Sequence, residues 1–383
     1  MIRVFPLFAI AAIPLLQMPS LGQSPKPLLQ YDCEEIKIPA ASVEEPRVSE
    51  FGKDSILAAA KYLDDGAYAW TKTRTCIACH TTGVYLAERP ILTELLGTPV
   101  RLVRDEFAKS IPPSVPASNE DRGIVYYKTA ERAVWRSLGL AEWDRYVERR
   151  TSDSTDKSLR DMLLQQSSHG GFHVTGEVEI PYITTDYNLS TQAMRAIVRA
   201  PMWLEQLKDP DLLERVEKLK QFLKTTQPSN DYDRMLRLQL SNLMPGLISN
   251  SEKENYIDLL SGKQRSDGGW STRSMSDTMS WHVAVSNKVK TLIDSLPDAA
   301  NPESDAYMTA FAIVLLRESG VQKEDPRVQK GIAWLKREQR SSGRWWMHSL
   351  YRGNYHFTTY IATAQAMKAL YLCDELQKHA APN

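Results

Sequence analysis

Neither sign of charge is in excess: 47 basic residues stand against 47 acidic ones. That balance leaves no field to gather nucleic acid or an anionic membrane surface. Long apolar runs are missing as well. Beyond Leu16 no stretch is apolar for long enough to span a bilayer, so no integral span is expected in the mature chain. Cysteine is scarce, four in 383 residues, which argues against a scaffold built on disulfides. What is present is apolar bulk: 42% of residues are hydrophobic, enough for a large core in one big domain or two small ones. Disorder is expected only in the Pro-rich stretch from Gln23 to Pro46 and in the tail.

The N-terminus reads as a secretory signal. Arg3 precedes an apolar segment from Val4 to Leu16, and small residues follow at Ser20-Leu-Gly22. The segment is short and interrupted by proline, and no stop-transfer pattern follows it. Cleavage is expected after Gly22, giving a signal peptide over 1–22, a Pro-rich leader over 23–50 and a single domain over 51–379. The expected location is the periplasm or another exported compartment.

Export gives weight to Cys76-Ile-Ala-Cys79-His80. Two thiols separated by two residues can add to the two vinyl groups of a porphyrin, and the histidine that follows then lies under the iron as proximal ligand. The reading is one covalent haem c on Cys76 and Cys79, with His80 on the metal. A disulfide of the pair is the alternative in an oxidising compartment, and it leaves His80 unexplained. Zinc would need further soft ligands at coordinating spacing, which Cys33 and Cys373 do not supply. Those two are read either as a disulfide joining the chain ends or as two thiols.

Self-similarity organises the rest. Leu159 to Phe172, Tyr256 to Trp270 and Gly331 to Trp345 each run as a helix, a Gln, a Gly-rich turn and an aromatic. Glycine there caps the helix in a left-handed conformation, and the aromatic is expected to stack back over the Gln and the last turn. A more apolar helix follows each: Asp186 to Ile197, Ser304 to Leu316 and Tyr355 to Leu370. Weaker units are Asp209 to Phe222 with Asp231 to Leu240, and Arg101 to Lys109 with a long helix from Arg122 to about Arg149. A first unit has a helix from Asp54 to Leu63, then Gly66 and Trp70, then the cysteine motif opening Thr81 to Glu88. About six outer and inner helix pairs result.

From Leu159 to Leu370 the chain resembles the prenyltransferase and squalene cyclase repeat family, whose Gln-Trp motif matches those three segments. The resemblance implies an all-α fold, an α/α toroid with inner helices around a central cavity. Aligning Trp70 with Trp345 sets the cysteine motif on the first repeat, with Thr81-Thr-Gly-Val-Tyr85 against Thr358-Thr-Tyr360. If the inner helices start together, His80, Asp186, Asp231, Asp233, Asp305 and His356 gather at one rim, where a haem would face His356, Met308 or a substrate. His356 is therefore the candidate distal ligand, with Met308 and Met347 as the others.

The resemblance also implies acid chemistry to be weighed. Cyclases of this family protonate substrate with the central Asp of an Asp-x-Asp-Asp motif; Asp231-Tyr-Asp233-Arg234 comes nearest, but ends in arginine, which favours ionised carboxylates. Asp64-Asp65 reads as a solvated cap at an outer-helix end. A transferase zinc site would pair His356 with Asp305, but Tyr307 stands where the thiol belongs. His169 and His173 read as turn residues, and Trp281-His282 and Trp345-Trp346 as staples of the repeats. The functional expectation is an exported c-type haem toroid doing electron transfer with a periplasmic redox partner, or oxidising an apolar, isoprenoid-like ligand. The alternative is a haem-free terpenoid cyclase or transferase, with Asp231, Asp233 and Asp305 as catalytic candidates, or a non-catalytic binding scaffold.

Overall fold

In the computed structural model, residues 28–379 are described apart from 75, 76, 78, 112–128, 176–180, 182–184, 277–290, 292, 296 and 349–354. For residues 297, 298, 355 and 356 only the backbone is described. The expected signal peptide, Cys76, the Trp281-His282 pair, the start of the long helix from Arg122 and the His356 side chain therefore lie outside the described residues.

Twelve of the described helices alternate between two layers. The outer ones are α1 (Lys53–Thr73), α3 (Arg101–Lys109), α5 (Asp153–Leu164), α7 (Pro210–Thr225), α9 (Asn250–Gly262) and α11 (Pro326–Glu338). The inner ones are α2 (Thr82–Glu88), α4 (Thr129–Trp143), α6 (Asp186–Arg199), α8 (Asp231–Ser241), α10 (Ala306–Glu318) and α12 (Tyr355–Leu372). Each inner helix packs on the next, and α12 packs back on α2, so the inner layer is a closed ring. The chain is an α/α toroid.

The two layers differ in sequence as they differ in position. Outer helix α7 buries only Leu212, Val216, Leu219 and Leu223, one stripe at helical spacing, and keeps its charges in water. Inner helix α10 buries every residue from Ala306 to Leu316, because it is packed on both neighbours and on its outer partner. Caps set the starts: the Asp209 and Asp325 carboxylates accept backbone N–H groups ahead of a proline at α7 and α11, while Thr185, Asn230 and Asp305 do the same for α6, α8 and α10.

The repeated Gln joins one outer helix to the next. Gln166 Nε2 donates to the oxygens of Gly170 and Arg215, Gln264 to those of Gly268 and Arg327, and Gln339 to those of Gly343 and Ser55. Ser55 lies in α1, so the device that links consecutive repeats also closes the ring. The glycine beside each Gln is obligatory: Gly170, Gly268 and Gly343 have φ of 90°, 95° and 86°. A Cβ there would also meet Lys218 O at 2.8 Å, Lys330 O at 2.7 Å and Ala59 N at 2.3 Å, respectively. The aromatic reaches back to the last turn, as expected. Trp270 and Trp345 donate their indole N–H, at 2.7 Å, to Leu260 O and Leu335 O in the last turn of the preceding outer helix.

Several expectations are corrected. Gly66 and Trp70 do not follow the first helix but lie inside it. Gly66 is there because Tyr31 and Tyr360 leave a Cβ no room, at 2.9 and 2.8 Å. Asp64 is consequently no cap: it accepts from Tyr85 Oη at 2.7 Å and pairs with Arg89, which is 1% exposed. The long helix does run to Glu148, close to the expected Arg149, but its last turn, Asp144–Glu148, is wider than an α-helix. Within the leader, Leu29–Cys33 (β1) and Ile36–Pro39 (β2) form an antiparallel hairpin against α1. Beyond it, Glu45 binds Arg344 at 2.7 Å across the seam where the last repeat meets the first. Cys33 and Cys373 are two separate buried thiols, and burial pushes the Cys373 thiol up to about 12.

Candidate functional site at the rim of the ring

The inner helices begin at one rim. Thr185 Oγ1, at the start of α6, donates to the Asp233 carboxylate at the start of α8 at 3.0 Å, and the hydroxyls of Tyr232 in α8 and Tyr307 in α10 meet at 2.7 Å. His80, just before α2, lies against Phe357 in the first turn of α12, ring centroids 3.9 Å apart and nearly parallel, with Trp70 edge-on at 4.7 Å. The rim expected from the sequence is therefore real for His80, Asp186, Asp231, Asp233 and Asp305. The motif's alignment is not: Trp70 sits within α1, whereas Trp345 follows α11.

Cys79 and His80 are half-buried. His80 Nδ1 is 2.9 Å from Thr81 Oγ1, which is itself 3.0 Å from Tyr31 Oη of the hairpin. Thr81 is wholly buried and Tyr31 nearly so. The Thr81 hydroxyl can accept from Nδ1 or donate to it, and when it accepts, Nε2 presents the lone pair that a metal needs, the outer support typical of metal-binding histidines. Neither this hydroxyl chain nor the participation of the leader was legible in the motif.

The three candidate acids are engaged in structure. Asp231 pairs with Arg234 and, at 2.8 Å, with Lys263. Asp233 accepts from Thr185, from Ser229 at 3.2 Å and from the Asn230 side chain. Asp305 caps α10 through Met308 N at 2.8 Å and holds Thr272 Oγ1 at 2.9 Å. Burial pushes Asp233 and Asp305 each up to about 6, against hydrogen bonds that favour the ionised form. Asp305 also forms part of the wall of a rim cavity of about 590 Å³ between α10, α11 and the strap around Arg47.

His169 and His173 are turn residues, as expected. His173 Nδ1 lies 3.1 Å from Asp186, and His169 accepts Gly171 N–H on Nδ1, which turns its Nε2 toward the same carboxylate as a donor. Among the described residues no three His, Cys, Asp or Glu side chains are placed to hold a metal ion. Met308 and Met347 are buried in the core.

The centre of the ring is lined by mixed side chains, with Trp135, Leu236, Phe311 and Ile361 among the apolar ones. All six inner helices line a space of only about 30 Å³, with Glu88, Gln192, Arg195 and Gln239 among its walls. Below it, where the inner helices end, five buried charges and the partly buried Glu318 close the axis in alternation. Glu88 meets Lys368 at 2.7 Å, Lys368 meets Glu318 at 3.9 Å, and Glu318 meets Arg199 at 3.8 Å. Arg199 meets Glu142 at 3.2 Å, Glu142 meets Arg195 at 3.8 Å, and Arg195 returns to Glu88 at 3.5 Å. Burial pulls the Lys368 ammonium down, but Glu88 and Glu318 outweigh it and hold it above its ordinary value. Charged side chains occupy the axis below this space. A signal was there to find: Lys368 interrupts an Ala-rich inner helix that has no other charge.

The sequence matches no family model and no curated protein. Solved structures give distant likenesses. A protein from Actinoplanes shares 13% identity with a TM-score of 0.46, covering 84% of this chain and 98% of its own. The type II terpene cyclase MstE from Scytonema shares 13% at 0.45, covering 83% and 96%. A glycosidase in complex with glucose shares 9% at 0.41, covering 84% and 86%.

Proposed function

We propose that the protein is an exported α/α toroid that works at its rim and carries one haem c on Cys76 and Cys79, with His80 as proximal ligand. The observation that carries the reading is the chain Tyr31–Thr81–His80, which orients an imidazole in a Cys-x-x-Cys-His motif as a metal ligand needs. Haem bound there would supply one-electron or oxygen and peroxide chemistry. The chain's own part is to fix the ring of His80 through Thr81, to border it with Trp70 and Phe357, and to set it beside the start of α12, where His356 is the candidate distal ligand. A redox partner in the periplasm, rather than a ligand inside the ring, fits an axis filled with charge.

The second reading rests on the fold and on the two carboxyls near 6: a haem-free cyclase or transferase using Asp231, Asp233 or Asp305, or a scaffold of that fold without catalysis. The small centre of the ring weighs against an isoprenoid substrate there. A pyridine haemochrome spectrum and a haem stain on a denaturing gel decide, using protein exported from a host with c-type maturation. The proposal expects covalent haem in the wild type and none in Cys76→Ala or Cys79→Ala. Haem-free wild type beside a matured control cytochrome would sink it, and turnover of an isoprenoid diphosphate would then separate enzyme from scaffold.

A further inference from the structure

The rim cavity of about 590 Å³ contains an unexplained charge. Arg340 is 8% exposed, its Nη1 donates to Glu45 O at 3.0 Å, and its Nε is buried with no partner. The acids around it are engaged elsewhere: the Glu45 carboxylate with Arg344 and that of Glu338 with Arg47, both at 2.7 Å. Arg47, itself in the cavity wall, adds a second positive charge beside the first. Burial and the neighbouring Arg47 pull the guanidinium below its ordinary value, against Glu338, Glu45 and Glu44, none of which ion-pairs with it. A buried guanidinium without a carboxylate is costly, and a ligand anion would relieve that cost.

The rest of the wall narrows the ligand. Trp334, fixed by its indole N–H on Asp267 at 3.1 Å, stands with the partly exposed Trp346 as aromatic surface. Glu303, Asp305 and Glu338 stand against Arg47, Arg273 and Arg340 in the wall, so a dianion would be repelled about twice as strongly as a monoanion. We propose that this cavity binds a small organic monocarboxylate, its carboxylate on Arg340 and its apolar body against Trp346. The site is separate from the haem motif and independent of it.

Isothermal titration of the full chain with phenylacetate, phenylacetamide and phenyl phosphate tests this. Phenylacetate is expected to bind saturably with Kd below about 1 mM, and the amide and the phosphate at least tenfold more weakly. Arg340→Met is expected to lose the preference for phenylacetate while unfolding no earlier than wild type, since it removes an unpaired buried charge. Should that variant not fold, Arg340→Lys takes its place, with binding at least threefold weaker than wild type. Absent phenylacetate binding, equal binding of the amide, tighter binding of the phosphate, or unchanged affinity in the substituted chain would each overturn the assignment.

Discussion

Gln339 donates its side-chain amide to the backbone oxygen of Ser55, 284 positions earlier, at 3.0 Å. Gln166 and Gln264 make the same bond to the next outer helix along the chain, to Arg215 O and Arg327 O, each at 2.9 Å. One repeat device thus serves both succession and closure.

Removing it should separate the two roles. Gln339→Ala and Gln166→Ala are each expected to cost about 1–2 kcal/mol, the loss of a buried amide's bonds, in urea unfolding. Only Gln339→Ala should speed amide exchange in the first turns of α1. Equal exchange there in both variants would mean the bond does not hold the ring shut.

The turn glycines are expected to differ by surroundings, not by φ. Gly320 and Gly343 have φ of 94° and 86°, yet a Cβ at Gly320 meets nothing within 4 Å, whereas at Gly343 it meets Ala59 N at 2.3 Å. Gly320→Ala should cost about 1 kcal/mol, the left-handed penalty alone. Gly343→Ala should cost about 3 kcal/mol or more by thermal unfolding, because α1 must move.

The axial ions make a sharper test. Lys368→Met leaves Glu88 and Glu318 with less positive charge in a dry setting, so a loss of about 3–5 kcal/mol in denaturant unfolding is expected. Adding Glu88→Gln should recover part of it. A loss in the single variant no larger than that of an exposed pair would show that water reaches the axis.

Asp305 sets a pH dependence of unusual sign. Its folded value is raised by burial from 3.8 to about 6, so between those values the folded chain holds a proton that the unfolded chain has released. Its effect on stability therefore grows more favourable as pH falls from about 7 to 4, by on the order of 2–3 kcal/mol. Asp305→Asn, which keeps a capping oxygen, should remove that increment. The check is the pH profile of wild type minus variant, and a flat difference would show an ordinary carboxyl.

Legibility followed locality. The outer stripe of α7 and the apolar run of α10 are periodic within a dozen residues, and the turn with its Gln and Gly was found for the same reason. Where burial overrides local signals, reading failed. Gly66 looked like a helix end but is a contact with Tyr31 and Tyr360. Asp64, apparently solvated, is held by Arg89. At the candidate site, Cys79 and His80 stood out as a motif, while the support of His80 by Thr81 and Tyr31 crosses fifty positions and leaves no spacing to detect.

By itself the sequence determined the alternation of amphipathic and apolar helices, the three Gln-Gly-aromatic turns and the Cys-x-x-Cys-His motif, since each is a short-range pattern of volume, φ and hydrogen-bonding groups. Only the tertiary structure decided what the centre of the ring contains. Glu88, Glu142, Arg195, Arg199, Glu318 and Lys368 come from five inner helices and are far apart in the chain. Glu88 and Glu318 even sit at helix C-termini, where an acid is locally disfavoured. Closing the ring brings them within pairing distance, and mutual attraction in a dry interior outweighs the local preference that each one violates.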